Sequence, residues 1–161
     1  MRIAGITKDS IVDGIGIRDV VFVQGCPHKC LGCHNAQTWN PRGGTNMGVL
    51  DIRDALADSE NNITISGGEP IKVGLCKLLV HLHFYFPDKT FWLYTGYRYE
   101  EIDKSLLLVM RDCGVEVIVD GRFEKDKKDP TLRFRGSSNQ RLIDLKKSIE
   151  SGQIVSWEET K

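Results

Sequence analysis

Cys26, Cys30 and Cys33 stand in one short segment with the spacing C-x3-C-x2-C, directly behind the apolar run from Asp19 to Gln24. Thiolates are soft ligands that suit zinc and iron-sulfur clusters, and a four-iron cube ordinarily takes four of them. Three in one loop leave one iron free to bind something else, just as catalytic zinc sites keep one position open for substrate. A zinc site made from the same thiolates with His28 or His34 is the alternative, although zinc clips usually come as paired C-x2-C or H-x3-H units. A disulfide framework fits poorly, because the chain has five cysteines, an odd number. The other two, Cys76 and Cys113, fall in helical patterns where a thiol packs as a small apolar group. Met1 to Ile6 is too short and polar for a secretory signal, and no apolar stretch approaches the ~20 residues that span a bilayer. The expectation is a soluble chain in the reducing cytoplasm.

A second group with chemical potential is Gly67-Gly68-Glu69-Pro70, which follows the run Asn62 to Ser66. Paired glycines let the backbone come close to a ligand, and the Glu69 carboxylate can accept hydrogen bonds from an ammonium group. Alone, such a turn is ordinary strand-to-helix chemistry; beside an open cluster it gains meaning. Other polar residues read as structural. His81 and His83 are two apart on a helix, so they point to different sides and cannot share a metal. Trp39 and Trp92 read as packing residues. His28 reads as a solvent-facing loop histidine, with hydrogen bonding around the cluster as the alternative.

Both groups need elements that hold them in place. Asp19–Gln24, Asn62–Ser66, Thr90–Tyr94 and Val115–Val119 are short runs rich in β-branched or aromatic residues, which predicts strands. Leu75, Leu78, Leu79, Leu82 and Phe86 mark one helix face, ended by Pro87. A second helix is expected from Tyr99 to Cys113, with Ile102, Leu106, Val109, Met110 and Cys113 as its stripe and Gly114 after its end. Val49 to Ala57 reads as a weaker helix. The alternation predicts an α/β fold on a curved, mainly parallel sheet with right-handed crossovers, barrel-like or open in form. Ligands of such sheets sit at the carboxyl ends of the strands. The cysteine loop, Gly67–Pro70, Thr95-Gly96-Tyr97 and Asp120-Gly121-Arg122 all fall there.

At 161 residues, 40% hydrophobic and 27% charged, the chain is expected to be one domain over 1–161, with 143–161 a tail of unassigned role. In that tail Leu142, Leu145 and Ile149 predict a short amphipathic helix. Lys+Arg and Asp+Glu are equal at 22 each, so there is no polyanion-binding signature and no nucleic-acid partner is expected. Charge is uneven between Gly121 and Lys147, where nine Lys/Arg face four Asp/Glu. That stretch is a solvated surface or a face for an acidic partner or cofactor.

The cysteine loop together with Ser66-Gly-Gly-Glu-Pro70 resembles the radical S-adenosylmethionine superfamily. Within it, Val12-Asp-Gly-Ile-Gly-Ile-Arg18, Phe22 to Cys26, Cys33-His-Asn35 and Thr38-Trp39 are similar to the activases of glycyl-radical enzymes. Phe91-Trp-Leu-Tyr-Thr-Gly-Tyr97, Val119-Asp-Gly-Arg-Phe123, Lys128-Asp-Pro130 and Arg135-Gly-Ser-Ser-Asn-Gln140 narrow the resemblance to the activating proteins of anaerobic ribonucleoside-triphosphate reductases.

The resemblance implies a partial (β/α) barrel of the radical S-adenosylmethionine type. It implies that Cys26, Cys30 and Cys33 hold a 4Fe-4S cluster, that Gly67, Gly68 and Glu69 take the amino group of S-adenosylmethionine, and that Gly32, Cys33 and His34 lie against its adenosine. Relatives also contact the cofactor near Thr95, where a plain strand-capping turn is the alternative. Reductive cleavage to a 5′-deoxyadenosyl radical would make a glycyl radical on the reductase, with an external electron donor such as a flavodoxin. No side chain is expected as a catalytic acid or base, because the cofactor carries the chemistry. Many members have an aromatic residue where this chain has Gly32, which leaves His34 as the nearest ring. Arg135 to Asn139 would dock the reductase or close the open side of the sheet. The alternatives are an activase of the pyruvate formate-lyase type, a small-molecule enzyme of the deazaguanine synthase type, or a non-catalytic iron-sulfur or zinc module.

Overall fold

The computed structural model describes residues 1–159. The elements run β1 (Arg2–Ser10), β2 (Arg18–Val23), β3 (Thr45–Asn46), α1 (Val49–Leu56), β4 (Asn62–Gly67), α2 (Leu75–Tyr85), β5 (Phe91–Tyr94), α3 (Lys104–Asp112), β6 (Val115–Asp120), β7 (Arg141–Asp144) and α4 (Leu145–Ser151). One seven-stranded sheet has the order β3-β1-β2-β4-β5-β6-β7.

The sheet is mixed, which corrects the expectation of a mainly parallel sheet, and it is open, which corrects the partial barrel that the resemblance implies. The pairings β2–β4, β4–β5 and β5–β6 are parallel, whereas β1–β2, β1–β3 and β6–β7 are antiparallel. The reason lies in the connections. Parallel neighbours need a crossover long enough for a helix, and α1, α2 and α3 provide one before β4, β5 and β6. No helix separates β1 from β2, and only a 3-10 turn interrupts the chain between β6 and β7, so those strands return antiparallel.

The crossovers step in one direction, and the helices share one face of the sheet. Ile63, Ile65, Phe91, Leu93 and Ile118 point to that face and meet Ile52, Leu56, Leu78, Leu79, Leu82, Leu107 and Met110 from the helices. The side-chain period of two sends Trp92, Val117 and Val119 to the other face. There the cover is loop and tail: Ile15, Phe134 and Trp157. Arg18 is also buried on this side, with Nε donating to Thr64 Oγ1 at 2.8 Å and Nη2 to Ile63 O at 2.8 Å.

Two helices differ from their expected bounds. The segment expected as one helix from Tyr99 starts as a separate 3-10 turn, Tyr99–Glu101, and α3 begins only at Lys104. Asp103 sets that start, because its carboxylate accepts the Ser105 N–H at 2.8 Å and caps the helix. In the tail, α4 is shorter than the hydrophobic pattern implies. After Gly152 the chain runs back along β7: Asp144 N–H donates to Val155 O at 2.9 Å, and Trp157 N–H to Leu142 O at 2.8 Å. Trp157 then packs edge-on against Trp92, ring centroids 5.0 Å apart. No helix among the described residues is long and apolar enough to cross a membrane.

Candidate functional site

Four strand ends build the site. Beyond β2 the chain enters the cysteine loop, which is pinned at its base. Gly25 N–H donates to Thr38 O at 2.7 Å and Cys26 N–H to Trp39 O at 3.2 Å. Gln24 Nε2 reaches Asn40 O at 2.7 Å. Cys33 N–H closes a turn on Cys30 O at 3.0 Å, and Asn35 N–H points at Cys33 Sγ at 3.4 Å. Cys26, Cys30 and Cys33 line one pocket of about 120 Å³ with Gly67 and Gly68 from β4, Thr95 and Gly96 from β5, and Arg122 and Phe123 from β6. Trp39 lines it as well.

Burial pushes the Cys26 and Cys30 thiols above their ordinary range. The amides of His28 and Lys29 at Cys26, and that of Phe123 with the Arg122 charge at Cys30, act in the opposite direction and favour the thiolate. Metal binding supplies the missing stabilisation, since a thiol that ligates a metal is deprotonated outright. The donor set therefore fits an iron-sulfur group: three soft ligands facing one pocket, with amides aimed at the sulfurs. Among the described residues no three His, Cys, Asp or Glu side chains are placed to hold a single metal ion.

The turn after β4 is built by the protein's own backbone. A Cβ at Gly68 would lie 2.3 Å from Gly25 O, and one at Gly67, whose φ is +98°, 2.7 Å from Val23 N and O. Gly68 N–H donates to Val23 O and Glu69 N–H to Gly25 O, both at 2.8 Å. The glycines thus let the turn press against the start of the cysteine loop. Glu69, fully buried, has both carboxylate oxygens engaged by Thr95, Gly96, Ile71 and His28.

His28 differs from its expected solvent-facing position. Its side chain is only 3% exposed and its Nε2 lies 2.8 Å from Glu69 Oε2. The signal that could have found it was Gly96, whose missing side chain makes room for the ring. Cys113, which caps the end of α3, is buried as expected, but Cys76 is exposed, because it falls between the buried Leu75 and Leu78 on the outer side of α2. Trp92 is fully buried, in keeping with a packing role.

Gly32 and His34 sit on the exposed rim beside the half-buried Cys33. The ring of Phe123 covers this place from the β6 side. A Cβ at Gly32 would lie 3.4 Å from it, and His34 is 6.0 Å from it between centroids. Phe123 was legible only as the last residue of Val119–Phe123, one of the segments that carry the resemblance. The pocket shares Cys33, Asn35, Ser66, Tyr94, Phe123 and Gln140 with a larger cleft of about 620 Å³. Ile11 and Val12 line one side of this cleft, and Lys128, Arg133 and Arg135 line another. Tyr94 donates its hydroxyl to Phe134 O at 2.8 Å, and burial pushes its phenol well above the ordinary range, so it is a neutral donor.

The model of a 4Fe-4S single cluster domain matches residues 12–143. The anaerobic ribonucleoside-triphosphate reductase-activating protein of Enterobacteria phage T4 is 40% identical over 139 residues, 81% of this chain and 86% of the relative. The protein of the same name from Escherichia coli K12 is 36% identical over 141 residues, covering 81% and 90%. That of Vibrio cholerae is 33% identical over 141 residues, covering 81% and 89%. With a cluster-domain match across most of its length and these relatives covering most of theirs, the chain belongs to the family of anaerobic ribonucleoside-triphosphate reductase-activating proteins.

Proposed function

We propose that this chain generates a glycyl radical on an anaerobic ribonucleoside-triphosphate reductase by reductive cleavage of S-adenosylmethionine at a cluster held by Cys26, Cys30 and Cys33. The observation that supports this reading most is the shared pocket: three cysteines and the Gly67–Gly68 turn face one space, which opens into a cleft large enough for a segment of a protein substrate. When bound, the 4Fe-4S cluster supplies the electron that splits the sulfonium into methionine and a 5′-deoxyadenosyl radical, which takes a hydrogen atom from a glycine Cα.

The chain's own residues bind and orient. The Gly68 carbonyl receives no backbone amide among the described residues, so it is free to accept the cofactor's ammonium group. Arg122 at the pocket edge offers a fork of donors to its carboxylate. Phe123 and His34 provide rings for the adenine, and Gly32 lies against the Phe123 ring. Tyr94 and Phe134 wall the cleft where the target glycine would enter, which would hold the reacting atoms together. None of these groups moves a proton. The electron would come from an external donor of the flavodoxin kind, in the reducing cytoplasm.

The test is spectroscopic. Oxygen-free protein given reductant and S-adenosylmethionine should yield 5′-deoxyadenosine, and an organic glycyl signal should appear only with the reductase present. Cys30→Ala should abolish both, because two thiolates do not hold the cube. Stoichiometric zinc without iron in carefully prepared protein would overturn the proposal.

A further inference from the structure

We propose that His28 and Glu69 form a buried brace that fixes the cysteine loop against the Gly67–Gly68 turn, so that Glu69 positions the cofactor site instead of binding the cofactor's ammonium group itself. The inference rests on the function proposed above and concerns how two halves of that site are held in register. A carboxylate offers about four acceptor positions. In Glu69 all are used: Oε1 accepts Thr95 Oγ1 at 2.8 Å and Ile71 N–H at 3.2 Å, while Oε2 faces Gly96 N–H and His28 Nε2, both at 2.8 Å. The carboxylate is fully buried, and an incoming ammonium would have to displace one of these donors.

The imidazole is fixed as firmly. It meets Tyr97 edge-on, centroids 4.6 Å apart, and lies where a Cβ at Gly96 would come within 2.3 Å of Cδ2. His28 stands midway between Cys26 and Cys30, so anchoring its side chain anchors the backbone segment that carries both thiols. Glu69 thereby links the cysteine loop, the β4 turn and the β5 turn through His28, Thr95 and Gly96. Leaving a buried acceptor unfilled costs more than the contact itself contributes, so breaking the brace favours movement of the loop over survival of an empty position on the Glu69 carboxylate.

The experiment compares wild type with His28→Ala, His28→Gln, Glu69→Gln, Gly96→Ala and the double variant H28A/E69Q, each as anaerobically loaded full chain with iron counted per chain. Two quantities are measured without turnover. One is the S-adenosylmethionine dissociation constant per cluster with the cluster oxidised, and the other is amide exchange across residues 27–33. His28→Ala should weaken S-adenosylmethionine binding and speed exchange by about tenfold, the scale of one buried charge-assisted hydrogen bond. His28→Gln, which keeps a donor, should restore both. Gly96→Ala should mimic His28→Ala, since its Cβ displaces the ring while the His28 and Glu69 side chains and the Gly96 amide are left chemically unchanged. The double variant should bind no more weakly than the worse single one, because both break the same contact.

If Glu69→Gln weakens binding by the same factor whether residue 28 is His or Ala, the carboxylate contacts the cofactor directly and the brace is wrong. Unchanged affinity and exchange in His28→Ala also overturn it. Should wild type itself fail to bind S-adenosylmethionine, the functional reading falls, and amide exchange alone then decides whether the brace exists.

Discussion

Glycine at position 68 is required by a neighbour's oxygen. The Cβ of an alanine there would lie 2.3 Å from Gly25 O, inside any real contact, and backbone cannot yield as a side-chain tip can. Gly68→Ala is therefore expected to push the β4 turn off the cysteine loop, at a cost of about 1–3 kcal/mol, with S-adenosylmethionine binding weakened in parallel. Gly5 is the internal control. It lies in β1 with nothing within 4 Å of its absent Cβ, so Gly5→Ala should stay within about 0.5 kcal/mol of wild type. Denaturant midpoints of the two variants under argon would check the contrast. At this scale the sequence already indicated that the Gly-Gly-Glu segment matters. What it could not show was that the glycines serve the β2–β4 junction and that the carboxylate faces inward, because both depend on which strand lies alongside.

At the scale of elements, β2, β4, β5 and β6 were legible because both their faces are covered, which writes continuous apolar runs into the chain. The strands that stayed hidden are the outer ones. In β1 only Ile3 is fully buried, and an irregularity between Ile3 and Gly5 breaks the period of two. β7 offers four residues, of which only Ile143 is buried. The antiparallel flanks, and with them the open mixed sheet, were thus beyond what hydrophobic pattern alone could report. The tail beyond α4 was illegible for the same reason: its one large apolar anchor, Trp157, acts by stacking on Trp92 and Phe134 from a distance in sequence. That stack supports the loop that walls the larger cleft, and Phe134 holds a left-handed φ of 61° there. Trp157→Ala should cost about 2 kcal/mol, below the 3–5 of a fully buried Trp because Trp157 is only half-buried. It should also raise the concentration of reductase needed for half-maximal activation more than that of S-adenosylmethionine. Urea midpoints and the two saturation curves would read these effects separately.

Across the whole molecule, the arginines near the strand ends have different duties. The strand ends that face the cysteines carry Arg122 as a cation unassigned to any carboxylate among the described contacts, whereas Arg141 is committed. It joins Asp120 at the end of β6 to Glu100 in the turn before α3, and so ties the sheet edge to the helical layer. The Arg141 hydrogen bonds hold Glu100 down from its ordinary 4.5 to about 2. In the folded chain Glu100 thus stays ionised at a pH where the unfolded chain takes up a proton. Its contribution is complete above pH 4.5 and fades as pH falls toward 2. With 55% of the Glu100 side chain exposed, solvent screens the pair, and the contribution is no more than about 1 kcal/mol. Glu100→Gln should therefore lower stability slightly at neutral pH and flatten the acid limb, the two curves converging near pH 2. Urea midpoints across this range, on full chain freed of iron so that metal loss does not distort the transition, would reveal the convergence. Parallel curves at every pH would mean that Arg141 gains nothing from Glu100 beyond what Asp120 already gives it.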